Sequence, residues 1–144
     1  MAGDAPTHDP SHVRGLRVLV VDDDADTRAL LAAILEDAGA VPACAESVAE
    51  AFETLVSFRP HVIISDIEMP TENGYAFLRN LRSVLDEDGG QTPAIAFTGR
   101  VSPEERQRAL AAGFNLHIGK PTAPEALIAA LSSLARALPP SARA

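Results

Sequence analysis

A chain of 144 residues is sized for one domain with a single core, burying about two thirds of the surface its unfolded form would expose. Its 20 acidic side chains against 12 basic ones give a net charge of -8, which repels nucleic acid phosphates and anionic membrane and argues against either as a partner. The one cysteine, Cys44, cannot form an internal disulfide, is compatible with a reducing compartment and reads as a small buried side chain. A cytoplasmic location is expected.

Residues 1–15 read as a flexible arm carrying Asp4, Asp9 and two prolines. No apolar stretch marks a signal peptide or a membrane span there. His8 and His12 are four apart, but Pro10 between them argues against a helix that would align them for metal. From residue 16 to 138, apolar runs of strand length alternate with longer segments of helical period, five times over, the pattern of a parallel sheet covered on both faces. The strands are expected at Arg17–Val21, Val41–Ala45, His61–Ser65, Ala94–Phe97 and Leu116–Ile118.

The first helix is expected to bury Leu30, Leu31, Ile34 and Leu35 and to end at Gly39. The second carries Val48, Phe52, Leu55 and Val56, the third Phe77, Leu78, Leu81, Val84 and Leu85, and the last Leu127, Ile128, Leu131, Leu134 and Leu138. Ser47 with Glu50, Ser102 with Glu105 and Thr122 with Glu125 have capping-box spacing, and Pro103 suits a first helical position. Asp86 to Gly90 reads as a solvated loop, and residues 139–144, opening Pro139-Pro140, as a helix stop and tail with no second domain expected after it.

Five positions stand at or just past the ends of apolar runs: Asp22, Asp23, Asp66, Thr98 and Lys120, the only lysine. Right-handed crossovers between parallel strands deliver all of these ends to one rim, where open α/β sheets place ligands. Carboxylates brought within about 4 Å repel by roughly 1–4 kcal/mol at a wet rim. A hard divalent ion, most naturally Mg²⁺ with Mn²⁺ as the alternative, relieves that repulsion. Asp66 is then placed to attack a phosphoryl donor, with Lys120 and the Thr98 hydroxyl on the phosphoryl oxygens.

These residues resemble the receiver domains of two-component response regulators. The resemblance runs from Leu16 to Leu138. It is carried by Val18-Leu19-Val20-Val21-Asp22-Asp23-Asp24, by Ser65-Asp66-Ile67-Glu68-Met69-Pro70 followed by Gly74, by Phe97-Thr98-Gly99, and by Ala112-Gly113-Phe114 leading to Gly119-Lys120-Pro121. It implies a flavodoxin-like doubly wound five-stranded parallel sheet of order 2-1-3-4-5. It also implies Asp66 as phosphoacceptor, Asp23 and Asp66 as direct metal ligands, Asp22 acting through water and the Glu68 backbone carbonyl completing the set. Thr98 and Lys120 would bind the phosphoryl group, and the Lys120-Pro121 bond would be cis. A sensor histidine kinase or a histidine phosphotransfer protein would be the donor, and a protein target the reader, with the chain a monomer or weak homodimer. The first helix and the rim are expected to meet the donor, and a strip around Ala109, Leu110 and His117 the target.

His117 stands where such domains carry the Tyr or Phe that turns inward with the threonine, and is read as a modified switch residue. His61, beside Pro60 at a strand start, reads as structural. Glu68 and Arg100, each two residues past Asp66 and Thr98, carry opposite charges on the flanks where phosphate lifetime is tuned, and a contact between them is expected. Three rivals are weighed. A calcium loop from Asp22 has Thr27 where glycine is needed and Ala33 where glutamate is needed. A haloacid-dehalogenase-like phosphatase lacks its Asp-x-Asp-x-Thr/Val motif in this chain and the length for a substrate cap. A receiver-fold module that is never phosphorylated would be suspected from missing acids or lysine, which are all present.

Overall fold

The computed structural model describes residues 12–69 and 73–138; His8, Pro70 and the tail from residue 139 lie outside them. Five strands, β1 (Arg17–Val21), β2 (Val41–Ala45), β3 (Val62–Asp66), β4 (Ala94–Thr98) and β5 (Leu116–Gly119), form one sheet in the order β2-β1-β3-β4-β5, and every neighbouring pair is parallel. This is the doubly wound sheet expected. β3 and β4 reach one residue further than their apolar runs, so Asp66 and Thr98 are the last residues of their strands rather than the first of the loops.

Helices α1 (Ala25–Asp37), α2 (Val48–Phe58), α3 (Gly74–Arg82), α4 (Pro103–Ala112) and α5 (Pro124–Arg136) cover both faces. Alternation along the strands divides the core. Leu19, Val21 and Ile63 pack with Leu55, Phe77, Leu78 and Phe114 on the α2–α3–α4 side. Val18, Val20, Val62 and Ile64 pack with Leu31, Leu35, Leu127 and Leu131 on the α1–α5 side.

Several expectations are corrected at the edges of these elements. Val13 has no exposed surface and joins the α1–α5 core, and Gly15 N–H donates to the Gly39 carbonyl, so packing begins inside the stretch assigned to the arm. Cys44 is exposed, because β2 is an edge strand with only part of its length covered. Leu30, Val56 and Leu85 are exposed; α3 stops at Arg82, and Asp86–Asp88 makes a short 3-10 turn in place of an open loop. Ala109 lies wholly beneath the α4 surface, leaving Leu110 as the exposed apolar member of that strip.

The capping boxes resolve into three different arrangements. Ser47 accepts from Glu50 N–H, but the Glu50 carboxylate accepts from Glu46 N–H, one residue upstream of the cap. Ser102 accepts from Glu105 N–H while the Glu105 carboxylate goes elsewhere. The third box is absent: Pro124, with its fixed φ and no N–H, starts α5 one residue late, so Ala123 is the cap and the Thr122 hydroxyl donates to the Ala123 carbonyl. Asp24 is the α1 cap and accepts from both the backbone N–H and the hydroxyl of Thr27.

Candidate phosphoryl and metal site

β1, β3, β4 and β5 end side by side, and their ends carry the candidate residues. Asp22 follows β1, held by its N–H to the Ala45 carbonyl, and its carboxylate accepts from Asp24 N–H at 2.9 Å. Asp66 ends β3 and accepts from Glu68 N–H at 3.2 Å. Gly74 fixes the segment after it: its N–H donates to the Ile67 carbonyl, and a Cβ there would lie 2.5 Å from the Asp66 carbonyl oxygen, so only glycine permits the turn into α3.

Asp22, Asp23 and Asp66 each offer a carboxylate oxygen within 4.8 Å of the others. Asp22 and Asp66 are buried and Asp23 is exposed. Burial first, and then the Asp22 charge, push the Asp66 carboxyl up to about 6, against the pull of Lys120. Lys120 Nζ stands 3.1 Å from Asp22 Oδ2 and 3.4 Å from Asp66 Oδ1. Its burial would lower the ammonium pKa, but the hydrogen bond it donates to Asp22 and the charges of Asp66 and Asp22 outweigh this and raise it. The Lys120 N–H donates to the Thr98 carbonyl at 2.7 Å, tying β5 to β4, and the Lys120-Pro121 bond is cis.

Thr98 is 1% exposed, and its hydroxyl accepts from Arg100 N–H at 3.2 Å. Arg100 Nε reaches Glu68 Oε2 at 2.7 Å, so the contact expected between the two flanks forms, with both side chains largely in solvent. An added Cβ at Gly99 would meet nothing within 4 Å, so the chain itself does not demand glycine there. His117 lies beside Ala96 on the α4 face of β5, and its Nε2 is buried with no hydrogen-bond partner. Burial first, then Arg106, lower its pKa. His61 Nδ1 accepts from Arg17 N–H at 2.9 Å, a role in joining β3 to β1 far from the rim.

Two contributors were not singled out from the sequence. Arg28 donates to the Asp22 carbonyl at 2.8 Å and lies 3.6 Å from Glu46, bracing the turn that presents Asp22 and Asp23. The signal was an arginine one helical turn inside α1, indistinguishable by pattern from a solvated one. Tyr75 donates to Glu105 Oε1 at 2.6 Å across α3 and α4, a pairing that no local pattern announces.

The rim thus gathers three clustered carboxylates, two of them in contact with one ammonium, on a sheet of order β2-β1-β3-β4-β5. The family model of the response regulator receiver domain matches residues 18–132. The chain belongs to the response regulator receiver domain family. A 14.6 kDa protein of Leptolyngbya boryana, uncharacterized, is 40% identical over 125 residues, which is 87% of this chain and 94% of that protein. Response regulator MprA of Mycobacterium ulcerans is 36% identical over 121 residues, 84% of this chain but 50% of its own length, so the receiver spans about half of such relatives. The solved chemotaxis response regulator CheY4 of Vibrio cholerae is 33% identical with a TM-score of 0.75, covering 83% of this chain and 98% of that one. Receiver domains are signalling switches rather than classical enzymes. Among the described residues of this one, no helix is long and apolar enough to cross a membrane.

Proposed function

We propose that this receiver works as a switch in which Asp66 takes a phosphoryl group from a phosphohistidine on a sensor histidine kinase or a histidine phosphotransfer protein. The observation that supports it above all is the approach of Lys120 to both Asp22 and Asp66, inside a cluster whose third carboxylate is Asp23.

The donor set fits a hard divalent ion, Mg²⁺ or Mn²⁺: three carboxylate oxygens lie within 4.8 Å of one another, burial and then the Asp22 charge push Asp66 up to about 6, and a cation relieves the repulsion among them. Asp23 and Asp66 would hold it directly, Asp22 through water, and the Glu68 carbonyl would complete the protein ligands. When bound, it supplies charge neutralisation at the phosphoryl oxygens.

The chain's own groups do the rest. Asp66, raised only to about 6, is mostly ionised at neutral pH, and one of its oxygens attacks phosphorus. The phosphorus–nitrogen bond to the donor histidine breaks, and its electron pair leaves with the imidazole. Lys120, kept protonated by its carboxylate partners, balances the transferred charge. The Thr98 hydroxyl accepts from Arg100 N–H, which leaves its own proton for a phosphoryl oxygen. His117 follows as the moving ring of the switch, and Glu68 with Arg100 shields the acyl phosphate from water. Slow self-dephosphorylation ends the signal. The target would read a strip from Leu110 and His117 onto α5, in the cytoplasm, with the chain a monomer or weak homodimer.

Incubation with acetyl phosphate and Mg²⁺, followed by intact-mass measurement, tests the reading. One phosphate adduct on the wild type and none on Asp66→Asn is expected. An adduct that survives Asp66→Asn overturns the assignment, and sustained turnover of many phosphoesters would return the phosphatase reading.

A further inference from the structure

Two short segments carry the reacting groups of the proposed site, and each leads within a few residues into a helix. Gly74 packs its backbone against the Asp66 carbonyl, so Tyr75, the next residue, is fixed relative to the end of β3. Only four residues separate Thr98 from the start of α4, and Ser102 caps that helix on Glu105 N–H. Between these helix starts, Tyr75 Oη donates to Glu105 Oε1 at 2.6 Å, a short bond to a charged acceptor. Tyr75 is 5% exposed, and the Arg108 guanidinium sits 4.5 Å from the centre of its ring, covering it. The Thr98 hydroxyl is meanwhile engaged with Arg100 N–H inside its own loop.

We infer that Tyr75 and Glu105 form a latch that holds the first turn of α4, and with it the Thr98 loop, against the Asp66 strand, so that recruiting the Thr98 hydroxyl to a phosphoryl group has to break it. The inference rests on the receiver reading above and adds two positioning residues and a direction: the latch opposes phosphorylation. A contact made in only one of two states shifts the balance by its full worth in that state, and any ligand favouring the other state must overcome it. Arg108 acts with the latch by packing its guanidinium on the Tyr75 ring.

The whole chain is treated with acetyl phosphate and Mg²⁺, and adduct growth is followed by intact mass. Tyr75→Phe, which keeps the ring and the Arg108 contact and loses only the hydroxyl, is expected to be phosphorylated about fivefold or more faster than wild type. Glu105→Gln, a weaker acceptor, should fall between the two. Tyr75 is the chain's single tyrosine and there is no tryptophan, so its emission reports the latch directly. Emission should rise when wild type is phosphorylated, as the hydroxyl leaves a quenching carboxylate, and stay flat in Asp66→Asn. A merely structural role would lower the melting temperature without speeding phosphorylation. Equal or slower rates in both variants overturn the latch while the receiver reading stands. If wild type takes no phosphate at all, the receiver reading falls and the inference with it.

Discussion

The Lys120 ammonium stands closer to Asp22, at 3.1 Å, than to Asp66, at 3.4 Å, so the cation proposed to meet the phosphoryl group is paired first with an acid that is not the proposed phosphoacceptor. Asp22 is 1% exposed, and removing the ammonium would strand its charge in a nearly dry position. Lys120→Met should therefore lower the stability of the metal-free protein by about 2 kcal/mol at neutral pH in denaturant unfolding. Asp22→Asn combined with it should cost less than the two single changes added together. Added Mg²⁺ should recover part of the loss. Additive effects would mean that the pair is not coupled.

Asp66 gives the pH dependence its sign. Folding raises this carboxyl from 3.8 to about 6, mainly through burial and then through Asp22, so the native state holds the proton more tightly than the unfolded chain does. The group therefore contributes stability as pH falls through about 6 toward 3.8 and costs stability above that window. Compared with wild type at neutral pH without metal, Asp66→Asn should be more stable by on the order of 2 kcal/mol, a gap that closes on acidification. The burial pattern directs this test to Asp66 and away from Asp23, which is exposed. A gap that widens as pH falls would contradict the crowding.

The Glu68–Arg100 pair separates stability from function. Its side chains are 49% and 70% exposed, and ion pairs in that setting contribute about 0–1 kcal/mol. Arg100→Ala should leave the melting temperature nearly unchanged. Loss of the phosphate adduct, timed by intact mass after the donor is removed, should nonetheless speed up, because the pair bridges the two loops that flank Asp66. An unchanged decay would remove Arg100 from the account of phosphate lifetime.

Strand bounds for β1 and β2 were legible to the residue, β1 from its unbroken Val and Leu run and β2 from the small and apolar residues between Ala40 and Glu46, and Asp22, Asp66, Thr98 and Lys120 all sit where strands end. What escaped was set by contacts between elements. Val13 is apolar in a polar stretch and becomes core only once α1 and α5 close over it. Thr122 has the spacing of a cap, but Pro124 decides where α5 begins. Cys44 looks buried in an alternating run until β2 proves to be an edge. Glu105 was assigned wholly to its own helix, whereas its carboxylate belongs to Tyr75.

Arg82 is the strongest case of a residue invisible to pattern. At the end of α3 it reads as a charge favourable to the helix dipole, yet its guanidinium donates to the Gly113 carbonyl at 2.6 and 3.0 Å, to Gly90 at 3.0 Å, to Thr92 at 2.7 Å and to Asn115 Oδ1 at 3.2 Å. One side chain thus joins α3 to the entry of β4 and to the turn between α4 and β5. At that turn Gly113 has φ 118°, and a Cβ on it would meet Arg82 Cγ at 2.8 Å, so the arginine and the glycine require each other. Arg82→Ala leaves several carbonyls without their donor and should cost about 3 kcal/mol, among the largest effects of any surface-reaching residue here. Arg82→Lys, a single ammonium in place of a planar fork, should recover less than half of it. The measurement is denaturant unfolding of the three proteins side by side. A lysine variant as stable as wild type would show that charge alone, and not the fork of directed bonds, holds this corner together.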